Sequence, residues 1–154
     1  MPQPGQTQPV LPGILEFTMA DVTAYEPGLP ARTVITVPNP VQFMTTFGLV
    51  GLLTGLLHND RFSVVHHVEN LETGARTTLA GGSFTVPAPA AAANIPYASP
   101  PYTTGGPGSG ANFAIPAGYA AGTFRILTHV HADDPFIRPI VAAFHDGLVI
   151  EVIT

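Results

Sequence analysis

The side chains with the clearest capacity for chemistry gather near the end of the chain, in Thr128-His-Val-His-Ala-Asp-Asp134. His129 and His131 are two residues apart, so on a β-strand both imidazoles leave the same face. Neutral imidazoles suit zinc and nickel. A third, His67, sits in Arg61-Phe-Ser-Val-Val-His-His-Val-Glu69, and if that strand neighbours the first, three imidazoles share one sheet. The competing expectation is a set of surface histidines on a sheet with few other charges. Asp133 and Asp134 are adjacent, so their side chains diverge instead of flanking a bond, and ahead of Pro135 they fit a turn.

The order His-x-His-x-Asp at His129, His131 and Asp133 resembles the ligand string of the metallo-β-lactamase family. That family's string ends in His where this chain has Asp134, and its αββα fold takes further ligands from far downstream, whereas 20 residues follow Asp134 here. The resemblance therefore implies no chemistry of that type. Cysteine is absent, which excludes a thiolate metal site, a Cys nucleophile and a disulfide framework. There is no Gly-x-Ser-x-Gly elbow, and Gly105-Gly-Pro-Gly-Ser-Gly110 lacks the Lys of a phosphate loop. The expectation is a protein that is not an enzyme and carries no cofactor.

Binding residues are easier to nominate. Tyr97, Tyr102 and Tyr119 surround a long Pro-, Gly- and Ala-rich stretch, where exposed rings would serve as stacking platforms for a carbohydrate or small ligand. Against this, the chain has no Trp. Leu49, Leu52, Leu53, Leu56 and Leu57 follow the spacing of one helical face. Gly51 and Gly55 limit that face to one or two turns. These leucines either plug one end of the fold or present a greasy loop to a partner.

The elements that must position these residues are strands. Ile14 to Ala20 alternates, Asp21 to Ala31 reads as loop, and Arg32 to Val37 is rich in β-branched residues. Val41 to Val50 places Val41, Phe43, Thr45, Phe47 and Leu49 on one face. Arg61 to Glu69 alternates again, and two short strands, Thr77 to Leu79 and Ser83 to Val86, flank Gly81-Gly82. Residues 87–110 read as a long irregular loop. Asn112 to Ile115 is a short strand, Thr123 to His131 turns Phe124, Ile126, Thr128 and Val130 to one side, and Val141 to Ile153 closes the chain with Asp146-Gly147 placed for a bulge.

A strand, a Gly-bearing corner over residues 116–122 and then Gly-Thr-Phe-Arg-Ile is similar to the passage between the fifth and sixth strands of immunoglobulin-like sandwiches, with Phe124 at the strand start. That resemblance implies an all-β fold, an immunoglobulin-like Greek-key β-sandwich of about six to nine strands. A short helical turn near 49–57 and the 87–110 loop decorate it. Residues 1–13 read as a flexible Pro/Gln-rich arm, and 14–154 as a single sandwich domain.

Charge narrows the partners. The chain has 5 Arg and no Lys against 10 acidic residues, a net charge of −5, and 10% charged residues against 45% apolar ones. Five Arg cannot build the cationic stripe that nucleic acid requires. The longest apolar run, Phe47 to Leu57, is too short for a membrane span. A surface so poor in charge is weakly defended against association. The first expectation is thus a non-catalytic structural or interaction subunit whose partners are copies of itself or another protein. A carbohydrate- or small-ligand-binding module is the alternative, and a His-based metal-binding protein a weaker one. The N-terminus lacks the pattern of a signal peptide, which leaves the cytoplasm as the default expectation.

Overall fold

A computed structural model describes residues 6–7, 14, 16–52, 54–57, 59–86, 92–104, 121–132 and 142–154. Eleven strand segments occur among them: β1 (Gln6–Thr7), β2 (Glu16–Met19), β3 (Thr23–Tyr25), β4 (Val34–Thr36), β5 (Pro40–Val50), β6 (Arg61–Asn70), β7 (Arg76–Thr85), β8 (Ala92–Ala98), β9 (Tyr102–Thr103), β10 (Gly122–Ala132) and β11 (Ala142–Ile153). They form two sheets packed face to face, the sandwich expected from the alternation. The larger runs β1-β11-β10-β6-β7, with β4 added alongside the end of β11 as a parallel partner. The smaller is built on β5, with β2 then β3 pairing along its length, and β8 then β9 doing the same. The non-sequential order is in keeping with a Greek key.

The alternation of β5 becomes burial directly. Val41, Phe43, Thr45, Phe47 and Leu49 are all buried, while Met44 and Val50 stay exposed. In β6 the inward set is Phe62, Val64, His66, Val68 and Asn70, and in β10 it is Phe124, Ile126, Thr128 and Val130. Phe17 joins the sheets by stacking on Phe47 of its own sheet at 5.5 Å and on Phe62 of the facing one at 5.3 Å. Offset stacks of this kind add to the stabilisation from area alone.

Two bulges set the pleat. Register shifts between Ile126 and Leu127, so that Gly147 is the extra residue, at the Asp146-Gly147 step where a bulge is expected. The second lies opposite Val64 and Val65 and leaves Gly81 unpaired, so the two short strands expected around Gly81-Gly82 are one bulged strand, β7. A Cβ on Gly81 would stand 2.9 Å from His66 Nε2, Tyr97 Oη and Val64 Cγ1. Only a bare backbone fits there.

Two expectations need correction. Residues 92–103 are not irregular loop, because β8 and β9 pair with β5, with Ile95 and Tyr97 turned into the core. Pro96 is accommodated because β8 pairs with β5 alone, and an edge strand does not need every N–H. The loop expected over 21–31 holds β3, which extends the pairing of β2 along β5. The short helical turn expected near 49–57 is present as a 3₁₀ turn over Thr54–Leu57, with Leu49 ahead of it in β5. Within the expected N-terminal arm, Gln6 and Thr7 pair with Phe144 and Ala143 of β11.

Candidate functional site

Outward residues of the large sheet line up in rows across its strands. One row is Asp146, Leu127, His67 and Thr78, from β11, β10, β6 and β7. The next is Val149, Arg125, Glu69 and Arg76. Between them runs a chain of alternating charge. Arg125 donates from Nε to Asp146 Oδ1 at 2.8 Å and from a terminal nitrogen to the other oxygen. Glu69 lies 4.0 Å from Arg125 on one side and accepts bonds from Arg76 Nε and a terminal nitrogen at 3.1 and 3.0 Å on the other. The bidentate fork with Arg125 holds the Asp146 carboxyl below its ordinary range.

These side chains line a groove of about 440 Å³ with His67, Thr78, Leu127 and Val68. Its two guanidiniums and two carboxylates cancel in charge, yet they present fixed donors beside fixed acceptors. His67 is oriented by a 3.1 Å hydrogen bond between Nδ1 and the Thr78 hydroxyl. Leu127, from the outward face of β10, adds an apolar floor.

His67, His129 and His131 do share this outer face, because β10 pairs with β6 in a register that sets Leu127 opposite His67 and His129 opposite Val65. They do not converge. His129 and His131 stack with ring centroids 5.2 Å apart, and His129 stacks on Phe144 at 5.0 Å. Among the described residues no three His, Asp or Glu side chains group as metal ligands. Partial burial, then the neighbouring His131 and His67, lower the pKa of His129 and favour its neutral form. Asp133 and Asp134 lie outside the described residues.

The tyrosines nominated as platforms are elsewhere. Tyr97 and Tyr102 are core residues, 8% and 0% exposed, because the strands that carry them pair with β5 and turn their rings inward. Tyr102 donates to the Ala80 carbonyl at 2.8 Å, and its pKa is pushed up to about 12 by burial. Tyr119 lies outside the described residues. The leucines divide as well. Leu49 and Leu57 are buried and unavailable to a partner, whereas Leu52 is 88% exposed. Leu53 and the side chain of Leu56 lie outside the described residues.

Two histidines that motif spacing passes over occupy the interior. His66 is fully buried, shares a 2.8 Å hydrogen bond between Nδ1 and Thr128 Oγ1, and packs against Phe43 at 4.7 Å. Burial, followed by the nearby His67, lowers its pKa to about 3, so it is neutral at ordinary pH. His145 is fully buried on β11, with Nε2 3.8 Å from Asp21 Oδ1. Alternation was the available signal: His66 follows Phe62 and Val64 at steps of two.

No family model matches this chain, and no curated protein matches it significantly. Its structure is similar to the crystal structure of the C-terminal domain of Wzt, with a TM-score of 0.55 at 10% sequence identity, over 99% of this chain and 81% of that one. At that identity the likeness concerns the fold, a β-domain of two sheets, and says nothing of a shared activity.

Proposed function

We propose that this chain is a non-catalytic binding module that holds a neutral, hydroxyl-rich ligand of the saccharide class in the groove on the outer face of its large sheet. The supporting observation is the charge chain Asp146, Arg125, Glu69 and Arg76, which crosses four strands and lines that groove. A sugar hydroxyl both donates and accepts, so it gains from a guanidinium and a carboxylate placed side by side. Because the ion pairs already fix these groups, little side-chain entropy is lost on binding. The groove's volume falls within the usual range for small-ligand sites. Leu127 suits the C–H face of a pyranose ring.

The same pairing supports a binding role over a catalytic one. Asp146, held ionised by Arg125, is a poor proton donor near neutrality, and Glu69 is already engaged by Arg76. The test is calorimetric titration of a panel of neutral and acidic mono- and disaccharides into the wild type and Arg125→Ala. A saturable neutral ligand that binds about tenfold or more weakly to the variant is expected, since hydrogen bonds to charged groups are worth about 1.5–3 kcal/mol. The reading fails if no sugar saturates, or if Arg125→Ala binds as well as the wild type.

A further inference from the structure

The two outer faces of the sandwich differ in kind. Arg61, Arg76 and Arg125 all project from the large sheet, together with Glu69 and Asp146. The small sheet presents an uncharged face: its outward positions include Met44, Thr46 and Val50 on the central strand and Thr18, Asn94 and Pro96 on its neighbours. Glu16, at one end, is the only charged residue its described strands turn outward. Met44 and Val50, at 47% and 48%, are exposed large hydrophobics on the central strand, Val50 at its end.

We infer that this face is the contact surface between two copies of the chain. Three observations select a second copy as its occupant. The first is charge. Each copy carries −5, so copies repel in general, and a two-fold contact sets the same patch of each copy against the other. A face whose described strands carry one charge, Glu16 at its end, lets identical faces meet with little like-charge contact, whereas a partner of opposite sign would find little here to pair with.

The second is area. β5 spans 11 residues, about 37 Å at the usual rise, and three strands at the usual spacing cover about 14 Å. Each copy thus offers about 500 Å², so two bury about 1,000 Å², the lower bound for a specific contact. That size fits a reversible dimer. The third is that the sheet edges are blunted. Pro96 removes a donor from β8, and the bulge at Gly81 disrupts β7, so strand-to-strand extension is disfavoured at these two edges, which favours association through the face.

The test is sedimentation velocity on the full chain from micromolar to millimolar concentration, with Met44→Lys and Asn94→Lys beside the wild type and Arg125→Ala as a control in the groove. The wild type should move with concentration from 16.0 kDa towards twice that mass. Each Lys variant should dimerise about tenfold or more weakly, because the contact would desolvate a cation on a face that offers it almost no partner of opposite sign, and Arg125→Ala should behave as the wild type. Asn94 is exposed on β8, so Asn94→Lys carries the test if Met44→Lys does not fold. A wild type that is monomeric throughout overturns the inference, as does a dimer that survives both Lys substitutions. Sugar binding and dimerisation are read separately, on opposite faces.

Discussion

His66 makes the fold sensitive to acid in a way that can be worked out in advance. It is fully buried between the sheets against Phe43 and Tyr102, bonded to Thr128, with its pKa lowered from 6.5 to about 3. In the unfolded chain the imidazole takes up a proton as pH falls below 6.5, while in the fold it stays neutral until about pH 3. The unfolded state therefore binds more protons across that window, and stability falls as pH falls. From pH 7 to pH 5 the loss from this one residue is about 2 kcal/mol. For a chain of this size that is a fall in Tm of about 4–8 °C. Replacing His66→Phe together with Thr128→Val removes the titrating ring and the hydroxyl it satisfies. Guanidinium unfolding followed by circular dichroism at pH 7, 6 and 5 should show the double variant losing about 2 kcal/mol less than the wild type over that range. His129, also lowered, and Asp146 titrate in both proteins and cancel in the difference. Parallel stability curves for the two proteins would refute the reasoning, because they would mean that the folded state accepts the proton at no cost.

Gly81→Ala should destabilise the chain by about 1–3 kcal/mol through overpacking, since the new methyl meets His66, Tyr97 and Val64 at 2.9 Å. An unchanged urea midpoint would show that the bulge can move aside. Leu49→Ala should cost about 2–5 kcal/mol and Leu52→Ser no more than about 0.5, because Leu49 is 1% exposed and Leu52 is 88% exposed. Equal losses in denaturant titrations would contradict the division of the leucines between core and surface.

Strands that carry a single-sided alternation were legible from residue types alone. β5, β6 and β10 each repeat large apolar residues at steps of two, and each buries that set. The bulge at Asp146-Gly147 could be read from its turn chemistry. β8 could not, because Ala and Pro dominate Ala92–Ala98 and hide the inward pair Ile95 and Tyr97; burial there depends on β5 arriving alongside. The site was half legible. His67, His129 and His131 were correctly placed on one sheet face, since β-strand periodicity fixes direction, but convergence on a metal is a matter of rotamer and row, which spacing does not contain. The charge chain was missed because Glu69, Arg76, Arg125 and Asp146 lie far apart in sequence, and only register brings them together.

The central position of β5 also has a kinetic meaning. Among the described residues each other strand of the small sheet pairs only with β5, and those partners come from before it, over 16–25, and from well after it, over 92–103. The large sheet is closed by still more distant partners, with Val34 beside Glu151. The β6–β7 and β10–β11 pairs join strands consecutive in sequence, but the small sheet and the union of β6 with β10 need distant segments. Loop closure must precede those contacts, so refolding should lie in the slow range of milliseconds to seconds typical of such topologies. Until β5 is flanked on both edges, its backbone N–H and C=O groups stay unpaired and can template pairing with another chain. The transient species at risk of aggregation is therefore a chain in which this one strand has not yet found its neighbours.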